Sequence, residues 1–131
     1  SLLPLLLLLS ITSIAGFIYR AKKGVIKKAK RLKISEKEIG SSYGDRLTIL
    51  QFSTTFCSEC RSAKAMVKSV VAGMKGVSYI EIDAESNLDL VRRVDIRSTP
   101  TTIFLDSKGF EIARAKGAPK RDQLVKVIQA F

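Results

Sequence analysis

At 131 residues the chain has room for one compact domain and a tail, not for two full domains. It contains no histidine, which excludes Ser-His and Cys-His nucleophile pairs and every His-containing metal site, and its two cysteines are too few for a multi-disulfide scaffold. The net charge of +11 is mostly local: residues 20–40 carry nine Lys/Arg against two Glu, whereas residues 41–131 are near-balanced, so no nucleic-acid face is expected.

Leu2 to Tyr19 is an uncharged, leucine-dominated run followed at once by Arg20. Its length is at the lower edge of what spans a hydrocarbon core as a helix. Pro4 falls in the first turn, where a missing N–H costs little. A buried soluble helix fits poorly, because the run is apolar on every face. A cleaved signal peptide competes, since Ser13-Ile14-Ala15 loosely fits a cleavage site, but no basic residue precedes Leu2. Eight Lys/Arg between Arg20 and Lys33 favour a retained anchor and place the following domain on the cytoplasmic side of a cell membrane. Residues 1–19 are therefore read as the anchor, with membrane contact through residues 2–19. Residues 20–44 are read as a basic juxtamembrane linker and 45–131 as the domain. Val25 to Lys33 could lie as a helix along anionic headgroups; a solvated spacer is the reading preferred here.

Ile34 to Asp45 is polar and turn-rich and reads as a linker ending in a turn. Leu47–Phe52 is a short apolar run consistent with a buried strand. After Cys57-Ser58-Glu59-Cys60, residues Ala63, Met66, Val67, Val70, Val71 and Met74 form one helical stripe. Val77–Ile82 alternates as a strand, and Leu88–Val94 reads as a short helix. Thr101–Leu105 and Phe110–Arg114 flank the turn 106–109 as a hairpin. Pro119 opens a last helix with Leu124, Val127, Ile128 and Phe131 on one face. Alternating strands and helices, then a hairpin, then a helix predict an α/β domain with a mixed sheet.

This order sets Cys57 at or just before a helix N-terminus and Cys60 one turn inside. A thiolate, not a thiol, attacks a disulfide, and a helix N-terminus lowers a cysteine pKa from about 8.5 into a range of ~3.5–7.5. Cys57 is then the nucleophile, and Cys60 resolves the mixed disulfide. A zinc site would need four ligands, so it could arise only if two chains pooled their pairs. No GxGxxG or P-loop points to a bound nucleotide or flavin, and no cofactor is expected.

With these features in place, Leu47 to Phe131 resembles the thioredoxin family. The likeness rests on the strand, Phe56-Cys57-Ser58-Glu59-Cys60-Arg61, Ile82-Asp83, Arg97-Ser98-Thr99-Pro100-Thr101, the turn 106–109 and Gly117. The N-terminal run and basic linker make it most similar to bacterial membrane-anchored members. The resemblance implies a thioredoxin-like mixed sheet flanked by helices and preceded by a transmembrane helix. It also implies a protein-disulfide oxidoreductase, working as a reductase on protein disulfides and recharged by an electron-donating reductase. Pro100 is expected to be cis and to face the cysteines, with the Thr99 backbone pairing with an extended substrate and Phe56 packing beside the sulfur.

Several positions depart from the family pattern. Phe56 replaces the usual Trp, and Ser58-Glu59 replaces Gly-Pro. Gln51 matches the buried Asp that assists proton transfer, and Tyr79 matches the nearby Lys. Gln51 is neither acid nor base, so proton handling would pass to water or Glu59, while the Glu59 carboxylate would oppose thiolate formation on Cys57. The first strand and helix are expected to be shortened. Two other readings stay open: an extracytoplasmic thiol-disulfide factor, and a membrane-tethered binding module without turnover.

Overall fold

A computed structural model describes residues 2–22, 25–28 and 32–131. Lys23, Gly24, Ala29, Lys30 and Arg31 of the expected linker lie outside the described residues.

Helix α1 (Leu3–Lys22) runs three residues past Tyr19. At 1.5 Å per residue its length is ~30 Å, enough to cross a hydrocarbon core. Among the described residues nothing covers it: residues 2–21 are all exposed. Two of its hydroxyls bond within the helix, Ser10 donating to the Leu6 carbonyl (2.9 Å) and Thr12 to that of Leu9 (2.9 Å). An apolar solvent demands that kind of pairing.

The domain is a five-stranded sheet in the order β1-β5-β4-β2-β3. The strands are β1 (Ile26–Lys28), β2 (Leu47–Ser53), β3 (Val77–Asp83), β4 (Thr101–Asp106) and β5 (Glu111–Lys116). Among the described strands only β2 and β3 pair in parallel. Helices α3 (Ser58–Val71) and α5 (Arg121–Ala130) cover one face, and α2 (Glu36–Ile39) and α4 (Leu88–Arg93) cover the other.

All seven residues of β2 are buried, as in a strand covered on both faces. Side chains alternate across the sheet. Leu47 and Ile49 pack with Val67, Val70, Phe104, Leu124 and Ile128 on the α3/α5 side. Leu50 and Phe52 pack with Ile34, Ile82, Leu90, Val94 and Ile103 on the other. The helical stripe is divided: Ala63, Val67 and Val70 are buried, Met66 and Val71 are half-buried, and Met74 lies beyond the helix end. The last helix begins at Arg121, two residues after Pro119, with Leu124 and Ile128 buried and Phe131 exposed.

The basic segment departs from the spacer reading. Ile26, Lys27 and Lys28 pair antiparallel with Ala115, Arg114 and Ala113 of β5. A sheet edge offers unpaired N–H and C=O groups, and backbone pairing satisfies them whatever the side chains. The stretch after it is also structured. Ile34 is fully buried, and Ser35 caps α2 through a capping box with Glu38. Arg93 holds Glu38 at 2.7 Å.

Candidate functional site

At the end of β2 the chain turns through Thr54, Thr55 and Phe56 into α3, and Cys57 is the N-cap residue of that helix. Cys57 and Cys60 are joined as a disulfide, their Cα atoms 5.1 Å apart. The Cys60 backbone N–H donates to Cys57 Sγ at 3.1 Å. When the pair is reduced, that donor and the helix dipole are both aimed at the sulfur that has to carry negative charge. The two cysteines differ in exposure: Cys57 is half-buried, whereas Cys60 is 3% exposed.

Beneath Cys60 lies a neutral relay. Gln51 is fully buried; its Nε2 donates to the Cys60 carbonyl (2.9 Å), and its Oε1 accepts from Tyr79 Oη (2.8 Å). The register makes this possible, since Gln51 and Tyr79 sit two positions apart on adjacent strands, on the face toward α3. Burial, with the Glu81 charge nearby, pushes the Tyr79 hydroxyl above its ordinary range, so it stays a donor. A groove of about 240 Å³ opens beside Cys60 between Ser53, Arg61, Lys64, Glu81 and Asp83. Lys64 and Glu81 pair across it at 3.6 Å.

The Thr99–Pro100 peptide is cis, and Pro100 is buried. Half-buried Thr99 meets Thr54 with hydroxyl oxygens 3.5 Å apart, and the Pro100 carbonyl accepts from Gly117 N–H (2.7 Å). The next residue, Ala118, donates its N–H to Glu59 Oε1 at 3.4 Å. The 117–118 loop therefore bridges the proline segment and the cysteine helix. Sequence reasoning missed that bridge, and Gly117 was its only signal.

Phe56 corrects an expectation. Its ring is 95% exposed and does not pack beside the disulfide. It sits in the turn between β2 and α3, where its side chain is left to solvent. A second feature unseen in the sequence ties β5 to Asp95, five residues before Pro100. Glu111, 2% exposed, pairs with Arg114 at 2.5 Å, and Arg114 donates to the Asp95 carbonyl at 3.3 Å. Asp95 holds a left-handed φ of 57°, and Arg97, hydrogen-bonded to its carboxylate, holds that group below its ordinary range.

Residues 31–130 match the family model for thioredoxin. The chain is 29% identical over 77 residues to thioredoxin of Pongo abelii, covering 59% of this chain and 73% of that one. Against thioredoxin-2 of Saccharomyces cerevisiae it is 26% identical over 84 residues, covering 64% and 80%. Among solved structures, the germline-specific thioredoxin Deadhead of Drosophila melanogaster superposes with a TM-score of 0.58 at 27% identity, covering 66% of this chain and 82% of that one.

Proposed function

The chain belongs to the thioredoxin family and is a thiol-disulfide oxidoreductase, and from that premise we propose that it is a membrane-anchored reductase of protein disulfides. The observation that carries this reading is the Cys57 N-cap, with the Cys60 N–H aimed at its sulfur. Reduced Cys57 attacks one sulfur of a substrate disulfide, forming a mixed disulfide and releasing the first substrate thiolate. Cys60 gives up its proton and attacks Cys57 Sγ, releasing the second. Two electrons have then passed to the substrate, and the protein is left in the disulfide form described above. A separate electron-donating reductase returns it to the dithiol.

Cys57 is the nucleophile, Cys60 the resolving thiol, and Thr99 with Pro100 the platform for an extended substrate. Phe56 meets the substrate from its exposed position. Helix α1 and the basic residues after it support a single-pass anchor with the domain on the cytoplasmic side. Cytosolic poise favours the dithiol form and hence reduction.

A second reading, a tether without turnover, draws on the replacement of a buried acid by Gln51. The Cys60→Ser variant separates the two. A reductase accumulates mixed disulfides through Cys57, whereas a tether accumulates none. Cys57→Ser should abolish disulfide reduction, and full activity in that variant would end the assignment.

A further inference from the structure

One loop touches both the foot of the apolar helix and the redox site. Lys120, just before α5, donates from Nζ to the Ala21 carbonyl at 3.1 Å. Ala21 lies in the last turn of α1, where carbonyls lack helical partners and the dipole favours a cation. Ile26 N–H donates to Gln123 Oε1 of α5 at 2.7 Å, and β1 is paired onto β5. Only residues 23–25 separate α1 from β1, and three residues reach at most ~11 Å. The domain is thus docked at the helix foot rather than hung on a long flexible linker.

The same loop borders the cysteines. Ala118, two residues before Lys120 and so at most ~7 Å along the chain, donates to Glu59, which stands between Cys57 and Cys60. Arg20, Lys120 and Arg121 are all exposed around this end, in the place where anionic headgroups would meet them. Phe56, the residue before Cys57, presents a bare ring.

Building on the membrane-anchored reductase reading, we propose that the redox site is held at the lipid headgroup layer. The partner that fits this placement is a membrane-bound protein whose disulfide lies within a few residues of its own span, not a freely diffusing one. Confinement of both partners to that layer raises their effective concentration for each other, and a disulfide far above the surface does not share in it.

The placement can be read without turnover. The full chain carrying Cys60→Ser, with a fluorophore alkylated onto Cys57, is put into phosphatidylcholine/phosphatidylglycerol vesicles containing a headgroup-linked quencher. Quenching should be strong, and should fall several-fold when about twenty Gly/Ser residues are inserted after Lys22. Weak quenching that the insertion leaves unchanged overturns the placement. A chain that does not float with the vesicles overturns the anchor and the proposal with it.

The partner class is read with two transmembrane peptides, one bearing its disulfide loop close to the span and one far from it, beside a soluble disulfide protein. The unmodified chain should reduce the near loop roughly tenfold faster than the far one. Equal rates on both peptides, with the soluble protein also reduced, overturn the partner assignment while the reductase reading stands. No reduction of any of the three ends the reductase reading itself.

Discussion

The amide of Gln51 spans the gap between Tyr79 and Cys60, accepting from the Tyr79 hydroxyl at 2.8 Å and donating to the Cys60 carbonyl at 2.9 Å. Every partner in this chain is neutral, so it holds the Cys60 backbone in place without carrying a proton to the thiol. Tyr79→Phe leaves a buried carbonyl oxygen without that donor, and should cost about 1–3 kcal/mol in urea unfolding. Because burial raises the Tyr79 pKa in the folded state, the tyrosine's contribution is complete below the unfolded value near 10 and is lost as pH rises above it. The wild-type protein should therefore lose stability above about pH 10 more steeply than the Phe variant.

Arg114 is the counter-charge of buried Glu111 and also holds the Asp95 carbonyl. Arg114→Leu strands a carboxylate in the interior, and a loss of about 3–5 kcal/mol is expected in chemical denaturation. Adding Glu111→Gln should return part of that loss, because the stranded charge is then gone. A double variant no more stable than the single one would show that Arg114 acts through Asp95 instead.

The Ser35–Glu38 capping box with Arg93 pins α2 over the core. Glu38→Ala should cost about 0.5–2 kcal/mol. Burial works against the Glu38 charge, but the Ser35 N–H and hydroxyl and the Arg93 guanidinium outweigh it and hold the carboxyl below its ordinary range. Its stabilisation is present above the unfolded pKa near 4.3 and disappears as pH falls through the lower folded value. The stability difference between wild type and Glu38→Gln should accordingly narrow in thermal melts taken from pH 6 down to pH 3.

Phe56→Ala should leave stability within about 0.5 kcal/mol, since the ring is bare in the free protein. Covering a Phe ring is worth about 1.5–3 kcal/mol, so kcat/KM on protein disulfides should fall roughly tenfold or more. The rate on a small soluble disulfide should be unchanged. Equal losses on both substrates would mean that the ring acts on the cysteines and not on the partner.

Much of this was readable in the residues. The strand Leu47–Phe52, the cysteine pair and the stripe from Ala63 to Val71 mark a change from strand to helix period. The hairpin around residues 106–109 was equally plain. Strand β1 was not, because backbone pairing to β5 leaves no mark on a run of lysines. Helix α2 is only four residues long, too short for a period to show, although Ser35-x-x-Glu38 carried its cap signal. Gln51 and Tyr79 could be set against family positions, but their contact needed the register of β2 on β3. The outward turn of Phe56 depends on a loop conformation that residue type does not specify.

Cys57 and Cys60 should form a reversible couple in this chain. The full protein in detergent, equilibrated in buffers of defined dithiol-to-disulfide ratio and then alkylated, tests it most directly. One two-electron transition is expected, near cytosolic poise, and it should disappear in Cys57→Ser. A pair that stays fully oxidised or fully reduced across the whole range would contradict it.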